Sequence, residues 1–122
     1  MYSRLLSALF ILFVLFSCGK SLPEIENLDL DSWKKDKNAC GAYRSDNIEV
    51  IRSQKEKLLA LKESQIIELL GRPDRNELYK RNQKFFQYYL ESASTCENAK
   101  IDALQLVVRF NAMGLAKEVA IE

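Results

Sequence analysis

The hydrophobic pattern of this chain changes its period at one place, the sequence Gly71-Arg72-Pro73-Asp74. Before it, residues 63–70 carry apolar side chains at helical spacing, which predicts a short amphipathic helix. Gly71 tolerates the positive φ with which many helices end, and Pro73 prevents the helix from resuming. Beyond Asp74 apolar and polar residues alternate, which predicts strands with one buried face. The chain is thereby restricted to folds in which helices precede a sheet.

The predicted strands are joined by short turns. Residues 84–91 and 102–111 alternate most clearly, residues 115–122 return after a hairpin turn at Gly114, and residues 77–80 are a weaker candidate that leads to a turn at 81–83. The polar stretch between the two clearest strands, which contains Cys96, is predicted to be an exposed loop spanning residues 92–100. The side chains predicted to face the core are Phe86, Tyr88, Leu90, Leu104, Leu106, Val108, Phe110, Val119 and Ile121.

A further helix is predicted upstream, for residues 46–58. Asp46 and Glu49 have the spacing of a capping box, which marks a helix start. Residues 59–61 would connect this helix to the next one. Helices followed by strands predict an α+β fold, in which two N-terminal helices pack on one face of a three- to four-stranded antiparallel sheet. Residues 32–122 are long enough for one such domain and too short for two.

The N-terminus has the composition of an export signal. An apolar run at residues 5–16 follows Arg4 and ends in Leu15-Phe16-Ser17-Cys18. The run is about a dozen residues long, shorter than the roughly 20 that span a bilayer and typical of a cleaved signal peptide. Its end resembles a bacterial lipobox, in which a small residue precedes a cysteine that receives diacylglycerol. Residues 1–17 are therefore predicted to be a lipoprotein signal peptide and Cys18 the lipidated residue; an ordinary signal peptide cut nearby and an uncleaved anchor are the alternatives.

The residues after the lipobox are polar, with scattered apolar positions and one proline. Residues 18–31 are predicted to form the lipidated cysteine and a flexible tether of about a dozen residues. The segment that follows has no clear period. Its apolar residues, among them Trp33 and Tyr43, would lay it against the domain.

The cysteine count supports the export prediction. The chain has three cysteines, and lipidation of Cys18 leaves Cys40 and Cys96 as a pair. An oxidising compartment outside the cytoplasm would allow the two to form a disulfide. The alternative is two separate thiols.

Composition excludes several classes of function. Without residues 1–17 the chain has 17 basic and 17 acidic residues, so no net charge favours nucleic acid. Histidine is absent, which removes the commonest general base and the commonest metal ligand. No metal, cofactor or catalytic residues are predicted. An envelope enzyme that uses carboxylates alone is the least favoured class, because no pair of acids stands out.

One face of the sheet is the candidate partner surface. Phe85, Tyr89, Val107 and Arg109 alternate with the predicted core residues, and an aromatic surface with arginine suits a protein partner. Alternatively, the segment with Trp33 covers this face. Arg72 and Arg75 flank Pro73 in the turn. They could bind lipid phosphates near the membrane, and the alternative is that they are only solvated.

The run from Leu61 to Asp74, with its Leu-Gly-Arg-Pro-Asp ending, resembles the signature of the BamE (SmpA/OmlA) lipoproteins. Leu61 and Lys62 stand where the family usually has Met-Thr. The resemblance implies a small domain with a fold similar to that of secreted β-lactamase inhibitors, anchored in the outer membrane and facing the periplasm. It carries over no partner-binding residues.

Taken with the lipobox, this resemblance leads us to expect an envelope lipoprotein that acts without catalysis. It would bind a protein partner or serve as a scaffold, as the best-known family members do in outer-membrane protein assembly. The alternative is an inhibitor or binder of a secreted enzyme or small ligand. A deep concavity in the sheet or a protruding loop would indicate this alternative.

Overall fold

A computed structural model describes Tyr2 and residues 19–79 and 83–122 of the chain. Short helices precede an open antiparallel sheet of strand order β1-β2-β3-β4, so the predicted α+β fold is confirmed. The helices are α1 (Leu30–Lys35), α2 (Tyr43–Asp46), α3 (Ile48–Gln54) and α4 (Glu63–Leu70), with 3₁₀ turns at Lys37–Ala39 and Lys55–Leu58. The strands are β1 (Arg75–Tyr79), β2 (Gln83–Tyr89), β3 (Gln105–Phe110) and β4 (Ala116–Ile121).

The core lies between the helices and one face of the sheet. Phe86 pairs with Val108 and Tyr88 with Leu106 across β2 and β3, which puts four apolar side chains on the same face. Phe86 also meets Phe110 edge-to-face, with ring centroids 4.7 Å apart. The predicted core positions are buried or packed against the core, and the helices add Trp33, Ile51, Leu58, Leu61, Ile66, Leu69 and Leu70.

Helix α4 begins and ends where the sequence predicts. The backbone N–H of Lys62 donates to the Gln65 side-chain oxygen at 2.9 Å, which satisfies one free donor at the start. At the other end, the Gly71 N–H donates to the Ile67 carbonyl at 2.8 Å, and Gly71 has a φ of +82°. A Cβ at Gly71 would also lie 3.0 Å from Cγ of Lys34. The positive φ therefore favours glycine, and a larger residue would also have to displace the Lys34 side chain.

The single helix predicted for residues 46–58 is wrong in detail. The chain forms α2 and α3, which are separated at Asn47, and then a 3₁₀ turn. Asn47 occupies the position before α3 and its amide donates to the Tyr43 carbonyl at 2.7 Å. Glu49 pairs with Arg52 at 3.1 Å, so the predicted capping box with Asp46 does not form.

The tether predicted for residues 18–31 also differs from the structure, which describes this segment from residue 19 onward. Ile25 is buried in the core, and the Gln54 amide both accepts from the Glu26 N–H at 2.7 Å and donates to the Glu26 carbonyl at 2.8 Å. Asp29 then caps α1 by accepting from the Asp31 N–H at 3.1 Å. The boundary placed at residue 31 is therefore too late. Isolated apolar residues with no period gave no sign of this packing.

The sheet departs from the predicted strand limits at its ends. β1 begins at Arg75, two residues early, while Lys80 and turn residues 81 and 82 lie outside the described residues. β3 begins at Gln105 because Asp102 has a φ of +54° and cannot continue a strand. Gly114 has a φ of +77°, as the predicted hairpin turn requires.

The disulfide between Cys40 and Cys96 is present, with the two Cα atoms 5.2 Å apart. It joins the segment before α2 to the loop between β2 and β3, which are 56 residues apart in sequence. Most of the loop at residues 92–100 is exposed, as predicted, but two of its positions are held to the domain. Ala93 and Cys96 are buried, and the Ala93 N–H donates to the Asn38 carbonyl at 3.0 Å.

Candidate partner-binding surface

The sheet face opposite the core is here called the outer face. Strand register decides which side chains it carries: Phe85 pairs with Arg109, and its neighbours alternate with the buried positions of β2 and β3. The same alternation on the two edge strands extends the face across the sheet. Its members are Arg75, Glu77, Phe85, Gln87, Tyr89, Gln105, Val107, Arg109, Glu118 and Ala120.

The four residues proposed from sequence are all on the outer face. Phe85 lies directly opposite Arg109, while Tyr89 and Val107 are one rung apart, opposite Gln105 and Gln87. Val107 is buried among its neighbours, and the other three are half-buried. A continuous aromatic, apolar and cationic surface results.

The alternative in which the Trp33 segment covers this face is contradicted. Trp33 is fully buried on the opposite side of the sheet, where its ring centroid lies 6.3 Å from that of Tyr88. Its indole N–H donates to the Leu70 carbonyl at 3.1 Å. The segment packs as predicted, but on the helix side. An irregular segment gives no sequence signal for which face it will choose.

Four charged groups of the outer face form ion pairs along its two sides. Arg109 contacts Glu118 at 2.7 Å, and Arg75 contacts Glu77 at 2.8 Å. A hydrogen bond with the Tyr89 side chain, together with the nearby Glu77, raises the pKa of Arg75. These partly exposed pairs orient the side chains more than they stabilise the fold.

Tyr89 is fixed from beneath by a buried ion pair that sequence reasoning missed. Asp74 Oδ2 accepts from the Tyr89 N–H at 2.8 Å and from Arg44 Nη1 at 2.6 Å. Arg44 Nη1 also donates to the Tyr89 carbonyl at 3.1 Å. The main chain at the end of β2 is therefore held on both its donor and its acceptor, which sets the direction of the Tyr89 side chain.

The same ion pair is enclosed by the segment that precedes α2. Arg44 Nε donates to the Trp33 carbonyl at 3.0 Å, and its guanidinium lies 4.6 Å from the Trp33 ring centroid. Asp74 Oδ1 accepts from the Asn38 N–H at 3.0 Å. In the sequence, only Asp74 pointed to this ion pair, because it is the last residue of the Leu-Gly-Arg-Pro-Asp motif. Arg44 lies in no motif, so sequence alone could not select it from the other arginines.

Tyr88, predicted to be core, completes the support on the inner face. Its hydroxyl donates to the Gly71 carbonyl at 2.7 Å, and burial raises its pKa well above the usual range. The phenol therefore remains a donor throughout the physiological pH range. The end of α4 is tied to β2 by this bond.

The outer face has a shallow cavity at each side of Tyr89. One, of about 290 Å³, lies between Arg75, Tyr89 and the disulfide loop. The other, of about 280 Å³, lies between β2, β3 and residues 102–103. A third cavity of about 340 Å³ lies on the helix side, where exposed Arg72 is at its rim. Arg72 and Arg75 thus point to different sides of the sheet and do not form one phosphate site.

The predicted lipidation site, Cys18, lies outside the described residues. Within the described part of the chain, no helix has the length and apolar character needed to cross a bilayer. The same residues contain no group of three or more Cys, Asp or Glu side chains placed to hold a metal ion.

No protein-family model, curated protein or solved structure matches this chain. The resemblance to the BamE lipoproteins therefore rests on the Leu61 to Asp74 motif and on the order of elements.

Proposed function

We propose that this protein is a lipid-anchored, non-catalytic lipoprotein of the cell envelope that binds a protein partner through its outer face. The observation that carries the proposal is the placement of Phe85, Tyr89, Val107 and Arg109 together on the sheet face opposite the core. Tyrosine and arginine are enriched among the residues that dominate binding energy at protein interfaces.

A protein partner is favoured over a small ligand by the shape of this face. Its two cavities, of about 280 and 290 Å³, are shallow, whereas a pocket for a small molecule encloses most of the ligand surface. The loop of residues 92–100, which an inhibitor would project into an enzyme, is held to the domain by Cys96 and by the Ala93 N–H. A broad and mostly shallow surface suits a protein.

The envelope location is supported by two features. The lipobox at Cys18 supplies an anchor, and the disulfide between Cys40 and Cys96 suits an oxidising compartment. With the BamE resemblance, these features favour the outer membrane facing the periplasm, and a role in outer-membrane protein assembly.

The attachment of the N-terminal segment leaves the outer face available. Lys20 Nζ donates to the carbonyls of Lys57 and Leu59, at 2.9 and 2.6 Å, on the helix side of the domain. The N-terminal segment therefore contacts the domain on that side at Lys20. The proposed partner surface lies on the other side of the sheet.

Photocrosslinking in the native cell tests this proposal. A photoreactive residue at Glu118, exposed on the outer face, is compared with one at Glu49, which is exposed on α3. We expect a discrete envelope-protein adduct from position 118 and none from position 49. Absence of an adduct at 118, with the protein folded and present in the membrane, would refute the proposal.

A further inference from the structure

One end of the outer face contains the cavity of about 280 Å³. Its floor is the buried side chain of Val107, and its walls come from two glutamines of the sheet and from the chain that leads into β3. The lining residues are Gln87, Asp102, Ala103, Gln105, Val107 and Glu122.

The two glutamines present hydrogen-bond acceptors that the fold does not use. The Oε1 atoms of Gln87 and Gln105 are shielded from solvent, and neither accepts a hydrogen bond from any described residue. A buried acceptor without a donor is destabilising. The two side chains are diagonal neighbours on β2 and β3, since Gln87 pairs with Val107, two residues after Gln105. Diagonal neighbours of this kind lie close enough for one group bound between the strands to face both side chains.

The charge around this cavity is negative. Asp102 and Glu122 are exposed at its rim, and neither forms an ion pair within the described part of the chain. The other acidic side chains of the outer face, Glu77 and Glu118, are each paired with an arginine. The cavity is therefore the part of the face that complements a cation.

We propose that this cavity receives an arginine side chain of the partner protein; the inference rests on the function proposed above. A guanidinium has five N–H donors in a plane and no acceptor, which matches two amide oxygens and two carboxylates. The methylene stem of the arginine packs on Val107. A single side chain also suits the size of the cavity, which is small for a complete ligand.

NMR titration of the full-length chain in detergent micelles tests the cavity directly. The probe is N-acetyl-arginine amide, and the matched control probe is N-acetyl-citrulline amide, which has similar shape and no charge. We expect the arginine probe to bind in the millimolar range and to shift the side-chain amide signals of Gln87 and Gln105, whereas citrulline does not. Equal shifts from both probes, or none from arginine, would overturn the proposal.

Variants of the two acidic residues at the rim of the cavity test whether they bind the arginine probe. The Asp102→Asn, Glu122→Gln double variant should weaken arginine binding about tenfold, because charge-assisted hydrogen bonds are lost. Glu49→Gln, which changes an exposed and paired acid on α3, should leave arginine binding unchanged. Unaltered binding by the double variant would overturn the proposal. If the arginine probe does not bind but position 118 crosslinks to a partner, the arginine site alone is refuted. If position 118 gives no adduct, the proposed function itself is refuted.

Discussion

Arg44 Nη1 and Asp74 Oδ2 lie 2.6 Å apart, with side chains only 1% and 3% exposed. The pair joins α2 to the residue just before β1, and both members bind the main chain of Tyr89. A buried ion pair is costly to desolvate and survives only when further hydrogen bonds satisfy it. Here those bonds fix the strand end that presents the proposed partner surface.

Removal of one member of this pair should strongly destabilise the fold. Arg44→Met leaves the Asp74 carboxylate buried without its cation, and the expected loss is about 3–5 kcal/mol in the free energy of unfolding. Urea denaturation measures it. Arg52→Met, which breaks the exposed pair with Glu49, should cost no more than about 1 kcal/mol. Equal effects of the two substitutions would contradict the structural role of the buried pair.

The disulfide should account for a large share of stability. Closing a loop of this length stabilises the fold by about 4 kcal/mol in the chain-entropy model. We therefore expect the Cys40→Ser, Cys96→Ser double variant to lose up to this amount, measured by thermal unfolding without reductant. Reductant should destabilise the wild type and leave the double variant unaffected. If the reductant cleaves the disulfide of the wild type and its unfolding temperature does not change, this prediction is contradicted.

Acid should weaken the connection between β2 and β3. Hydrogen bonds from the Lys100 ammonium and then the Leu104 N–H hold the pKa of Glu91 below its ordinary value of 4.5. Because the ionised form is favoured in the fold, its stabilisation is complete above pH 4.5 and is lost as the pH falls through the lowered pKa. In the Glu91→Gln variant, the free energy of unfolding should depend less on pH in this acid range. Lys100→Met should reduce this pH dependence in part, because the Lys100 hydrogen bond is the largest cause of the lowered pKa of Glu91.

Membrane attachment should depend on Cys18, the predicted lipidation site. Cys18→Ala removes the thiol that would carry diacylglycerol, and within the described residues no helix could replace it as a membrane span. We expect the variant to leave the membrane pellet after cell fractionation. Glu49→Ala serves as the control, because it changes an exposed residue of α3 and leaves both the anchor and the disulfide intact. Retention of the Cys18 variant in the pellet would refute the lipid anchor.

Local chemistry explains which parts of the fold were predictable. Gly71 and Pro73 end α4 through dihedral limits that hold in any context, and alternation along β2 and β3 identified both faces of the sheet. Ile25 was missed because tertiary contacts decide its burial, and the break between α2 and α3 at Asn47 had no signal in the sequence pattern. Trp33 was correctly placed in a packed segment, whereas the alternative in which this segment covers the outer face was wrong.

The candidate site was predictable to a similar extent. Sequence alternation was sufficient to group Phe85, Tyr89, Val107 and Arg109 on one face, since side-chain direction alternates strictly along a strand. The partnership of Arg44 with Asp74 was not accessible, because no spacing rule connects residues 30 positions apart. The glutamine acceptors likewise become visible only when the cavity is formed.

The most direct measurement is the affinity of the crosslinked partner for Arg109→Ala, compared with wild type and with Arg52→Ala. Arg109 lies on the outer face and Arg52 is exposed on α3, so the two variants remove the same charge from opposite sides of the domain. We predict about tenfold weaker binding for Arg109→Ala and wild-type affinity for Arg52→Ala. Equal affinity of wild type and Arg109→Ala, with both folded, would contradict the assignment of the outer face as the partner surface.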